Sequence, residues 1–167
     1  MTIENFNHTI DYWIKELEHY TFIQLCTKPS PTNWSLGQMY RHLIDDANFY
    51  VEQIKMCVVN NDHATEEATV HGKMMLRNND FPNEVIEGSP NNAFIPQPGN
   101  KEQLMNDLLS LKVEMNTVAA LISESPFNGK TKHPGLGYFS AKEWLQFADM
   151  HFRHHLRQKK RIDAFLK

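Results

Sequence analysis

The segment DMHFRHHLRQ, Asp149 to Gln158, places His151, His154 and His155 within five residues. Imidazole is the commonest metal-ligating side chain near neutral pH, and it also serves as a general acid or base. Spacing decides which of the three can act together. An α-helix turns about 100° per residue, so on one helix His155 lies about 40° from His151 and Trp144 about 20° away. Ala148 and Ile162 fall in the same sector. His151 and His155 therefore point where the apolar stripe points, and His154 lies about 60° to the other side, on its flank. An i, i+4 pair stacks its side chains on one face and can chelate one ion. Two readings stand for the pair. Each ring is a core group bonded to a carbonyl or a carboxylate, because a buried polar nitrogen without a partner is costly. Alternatively the two are prepositioned ligands, which reduces the ordering cost of binding a metal.

A third donor separates these readings. His8 and His19 fall in the first helical segment, and His63, His71 and His133 fall in loops. His42, within NWSLGQMYRHLIDD, lies about 60° from Met39 and about 100° from Leu43, at the border of an apolar stripe and within reach of a neighbouring helix. Three neutral imidazoles around one cation leave a position for water or substrate, the open pattern of catalytic sites. Other motifs are missing from the sequence. HExxH is absent, and ELEH supplies one ExxH where a di-iron bundle needs two. HxE with CxxC, GxGxxG, the Walker loop and GxSxG are absent too.

Four helical segments position these residues. The first runs from about Thr2 to Cys26, with Ile3, Phe6, Ile10, Trp13, Ile14, Leu17 and Tyr20 on one face, and KPSPTNW ends it. The second opens at Ser35, where Ser35 and Gln38 fit a capping box, and fades near Asn60. A connection from Asn61 to Asn100 follows, in which GKMMLR reads as a short helix and NNDFPNEVIEGSPNNAFIPQPGN shows no sustained period. The third helix starts after Asn100 and buries Leu104, Leu108, Leu111, Met115, Val118, Leu121 and Ile122. SPFNGKTKHPGLGYFS reads as a loop, and Ser140 with Glu143 caps a fourth helix from Ala141 to about Phe165. No segment alternates like a strand. The pattern predicts an all-α fold: one domain over residues 1–167, a four-helix bundle with a long crossover between helices 2 and 3.

The chain of 167 residues carries a formal net charge of -3, so no global basic field favours nucleic acid. The run RQKKR, Arg157 to Arg161, reads as a solvated helix end, where cations are favoured. Cys26 and Cys57 form no CxxC and no disulfide framework. No apolar run approaches the roughly 20 residues of a membrane span, and MTIENFNHTIDYW lacks the pattern of a secretory leader. A cytoplasmic protein with neither a nucleic-acid nor a membrane partner is expected.

NWSLGQMYRHL followed by HPGLGYFSAKEWLQFADMHFRHHLRQ resembles the DinB-like superfamily, which includes the YfiT-type proteins. The likeness extends from about Thr2 to Phe165 and is least in the central connection. It implies a four-helix bundle with a long second-to-third crossover, and a divalent metal, nickel or zinc, held by three histidines. Carried over, these are His42, His151 and His155, which leaves His154 outside the ligand set. Gln158 matches a family position near the site. Asp46, four residues after His42, is expected either to orient that ring by accepting its other N–H or to stand as a solvated carboxylate. Trp34 and Trp144 read as core groups or as an apolar wall of the pocket. The resemblance also implies a small-molecule substrate, a low-molecular-weight thiol such as bacillithiol or mycothiol, transferred to a small electrophile, and a homodimer. The residues leave two alternatives open: a metal-dependent hydrolase, with Asp45, Asp46, Glu143 or Asp149 as base, and a non-enzymatic stress-related metal-binding protein.

Overall fold

The computed structural model describes residues 2–83 and 94–167. The chain is mostly helical, in the order α1 (Ile3–Leu17), α2 (Phe22–Cys26), α3 (Leu36–Cys57), α4 (Val70–Asn78), α5 (Lys101–Glu124), β1 (Lys130–His133), β2 (Gly137–Ser140), α6 (Ala141–His154) and α7 (Leu156–Leu166). Helix α3 packs against α5 and α6, and α1 packs against the same two. Between them lie Phe6, Ile10, Trp13, Met39, Tyr40, Leu43, Leu108, Met115 and Phe152, all fully buried. Trp13 meets Tyr40 and Phe152 edge to face, a favoured aromatic geometry. Among the described residues no helix is long and apolar enough to cross a membrane.

Local chemistry sets the helix starts. Ser35 Oγ accepts from Gln38 N while Gln38 Oε1 accepts from Ser35 N, and Ser140 and Glu143 repeat the arrangement at the start of α6. Each box satisfies two backbone donors that would otherwise be unpaired. Asn100 caps α5 by accepting from Gln103 N.

The structure corrects the expected elements in three places. The first helix stops at Leu17, and α2 begins separately, because Thr21 and Gln24 form their own capping box. The segment after Phe127 is no loop: Lys130 pairs with Ser140, Thr131 with Phe139, Lys132 with Tyr138 and His133 with Gly137 in an antiparallel hairpin. Gly137 has φ +82, and a Cβ there would lie 2.8 Å from the Glu67 oxygen, so glycine is required. The last helix is interrupted at His155, which separates α6 from α7, although His155 N still bonds His151 O. Leu121, expected inside, is 39% exposed. GKMMLR does lie in a helix, α4, while Glu84 to Ala93 of the aperiodic stretch lie outside the described residues.

Helix α7 is pinned to the start of the chain by one buried cation. Lys159, 1% exposed, donates to Glu16, Tyr20 and Asp163. Burial works against its charge, but the bonds to Asp163, Glu16 and Tyr20 outweigh it and raise the lysine pKa. Lys159→Ala leaves two carboxylates without their cation. Both are partly exposed, so the expected loss is about 2 to 3 kcal/mol, below that for a fully buried pair. An unchanged urea midpoint would contradict this assignment.

Candidate metal centre

His42 lies two turns into α3, and His151 lies in the last turn of α6. The packing of α3 on α6 brings the two rings together. His42 Nε2 is 3.1 Å from His151 Nε2, and His155 Nε2 is 3.1 Å from the same atom. One donor atom from each of the three lies within 4.8 Å of the others, and all three residues are buried. Metal–nitrogen bonds of about 2.0 Å place tetrahedral donors about 3.3 Å apart, so the cluster has the dimensions of a ligand set.

The rings present lone pairs. Burial lowers the His42 pKa to about 4 and, with the neighbouring His42, lowers that of His155 to about 3. Burial also holds His151 well below the usual imidazole value, helped by His155 and His42. All three are therefore neutral at pH 7. His155 Nδ1 lies 3.0 Å from Gln158 Oε1. With the proton on Nδ1 donated to that oxygen, Nε2 is left as the acceptor that a cation needs. Tyr50 OH stands 3.4 Å from His151 Nδ1 on the far side of that ring. The donor set thus fits a divalent cation: three neutral imidazoles, with outer contacts that orient two of them.

Aromatic side chains enclose the cluster. Trp34 packs over His42 and His155, with centroids 4.8 and 6.2 Å away. Phe81 stacks on His151 and His154. Phe81 is held there because Asn79, in the left-handed conformation, ends α4 and receives Gln146 and Arg153 from α6. Trp144 is fully buried and donates to Thr131. It stacks on Tyr50, so it serves the core and supports the pocket from behind.

The structure brings His42, His151 and His155 together and leaves His154 aside. His154 packs on Phe81, and its buried Nδ1 has no hydrogen-bond partner among the described residues. His133 ends β1, with its ring against Phe139, Trp144 and Phe147. Three of the four carboxylates considered as bases are committed elsewhere. Asp45 pairs with Arg41, Glu143 caps α6, and Asp149 accepts from Thr9 and Arg153. Asp46 corrects the expectation that it accepts the outer N–H of His42. Its Oδ2 faces the inner nitrogens, 3.6 Å from His42 Nε2 and 3.9 Å from His151 Nε2. Burial, and then Asp45, raises its pKa to about 6. Sequence reasoning missed Tyr50 and Phe81 as site residues: one reads as a member of an apolar stripe, the other lies in a connection without periodicity.

A family model described as the DinB superfamily matches residues 5–158. No curated protein and no solved structure matches the chain.

Histidines with depressed folded pKa values bind protons more readily in the unfolded chain. Metal-free protein should therefore hold its full stability above about pH 6.5 and lose it as the pH falls toward 4 and below, by up to about 1.4 kcal/mol per histidine per pH unit. Asp46, raised from 3.8 to about 6, acts in the opposite sense between those two values, but it is one group against three. Urea midpoints of chelator-treated protein should fall steeply below about pH 6.5; a flat profile down to about pH 5 would contradict the buried neutral triad.

Proposed function

Because the chain belongs to the DinB superfamily, we propose that it is a divalent-metal-dependent transferase that activates a low-molecular-weight thiol for attack on a small electrophile. One observation carries the reading: three neutral, buried imidazoles, from α3, α6 and the α6–α7 junction, converge on one point. His42, His151 and His155 hold the cation, which is nickel or zinc. Bound there, it supplies the Lewis acidity that makes a thiol nucleophilic at neutral pH. In the transfer the thiol would lose its proton to solvent water, its sulfur would bond to the electrophile, and the leaving group would depart with the electron pair of the bond that breaks. Trp34 and Phe81 exclude water from the imidazoles and present flat apolar faces to an incoming substrate. Gln158 fixes the tautomer of His155.

The pairwise packing of α1, α3, α5 and α6 supports reading them as a four-helix bundle in one domain, with the α3–α5 connection as its crossover. The cytoplasm as the compartment and a homodimer as the assembly belong to the same proposal.

Protein purified without a histidine tag should carry about one transition-metal ion per chain. His42→Ala and His151→Ala should lose it. Gln158→Ala should weaken binding roughly ten- to a hundredfold, as loss of an orienting partner does. Metal-loaded protein should conjugate a small thiol to an aryl halide, and both histidine variants should lose that activity. Ester or amide hydrolysis without conjugation would replace this reading with a hydrolase, and an absence of metal would remove it.

A further inference from the structure

We propose that Asp46 is a fourth donor of the centre, an oxygen ligand to the cation held by the three histidines; this rests on the metal reading above. Its Oδ2 approaches His42 Nε2 to 3.6 Å and His151 Nε2 to 3.9 Å. These are the nitrogens that face the common point, and the separations are only slightly longer than a donor–donor edge of about 3.3 Å. His42 and Asp46 are spaced i, i+4 on α3, as His151 and His155 are across the α6–α7 junction. Two clamps of the same spacing thus face each other.

Asp46 also lacks the partners that the other aspartates near the helix interfaces have. Asp45 and Asp107 bind Arg41, Asp149 binds Arg153, and Asp163 binds Lys159. Among the described residues no lysine or arginine lies within ion-pair distance of Asp46, and its side chain makes no hydrogen bond. Its nearest ionisable partners are His42 and His151, whose inner nitrogens its Oδ2 faces. With its oxygen aimed at the inner nitrogens and no lysine or arginine beside it, Asp46 is placed to share a cation with them. Charge points the same way: three neutral ligands leave a divalent charge uncompensated in a buried site, and one carboxylate halves it. The Asp46 side chain is 40% exposed, so it approaches the cluster from the solvent side, and a centre that expands to five ligands keeps a position for the thiol.

The test uses the full chain loaded with cobalt(II), which reports coordination through its visible spectrum. Wild-type protein and Asp46→Asn, which keeps the shape and removes the charge, are titrated against a chromophoric chelator. Loss of the donor should weaken cobalt and zinc binding at least roughly tenfold and change the cobalt band shape. The metal-free variant should unfold at the same urea concentration as metal-free wild type or a higher one, which separates ligation from a structural role. Equal affinity and an unchanged spectrum would overturn the Asp46 assignment and leave the histidine centre standing. Wild-type protein that takes up no metal would overturn both.

Discussion

The structure depends on burying three imidazoles where α3 packs on α6. In water each would titrate near neutrality; in this interface desolvation keeps them neutral and their lone pairs available. The cost of that burial is offset in part by contacts. His155 is bonded to Gln158, His151 faces Tyr50, and Trp34 and Phe81 lie over the rings. A site of this kind is held by rigid helices, with the aromatic envelope supplied partly by the connections.

Placement of the rings begins well away from them. The capping box at Ser35 fixes where α3 starts, and the box at Ser140 does the same for α6, so both helices enter the interface in a defined register. The end of the long connection is tied to the first of these starts: Gln38 donates to Ile95 O, and Ser35 donates to Gln97. A Cβ on Gly37 would collide with Pro98 at 2.7 Å, so this close approach requires glycine. At the other end Lys159 ties α7 to α1 and Tyr20. These anchors hold His42 on one side and the His151–His155 pair on the other.

Much of this was legible in the sequence, because helix periodicity and capping signatures are local. The i, i+4 spacing of His151 and His155 and the border position of His42 pointed to one face each, and the faces meet. The hairpin was not legible: its strands are four residues long, and Lys-Thr-Lys-His carries no hydrophobic alternation. The break before α2 was hidden because apolar spacing continues through Tyr20, although Thr21 and Gln24 held the signature of a new start. Asp46 shows the limit of angular reasoning. Its spacing from His42 placed both on one face but could not say which ring nitrogen the carboxylate meets. Phe81 is brought to the site by tertiary contacts, its ring on Phe147 and the nearby Asn79 bonded to Gln146 and Arg153, which no local pattern encodes.

X-ray absorption at the metal edge of the loaded protein tests the central claim most directly. A centre built by His42, His151 and His155 predicts a first shell near 2.0 to 2.1 Å containing about three imidazole nitrogens, with the outer-ring scattering that imidazole produces. A shell of light atoms without that signature, unchanged when His151 is replaced, would contradict it.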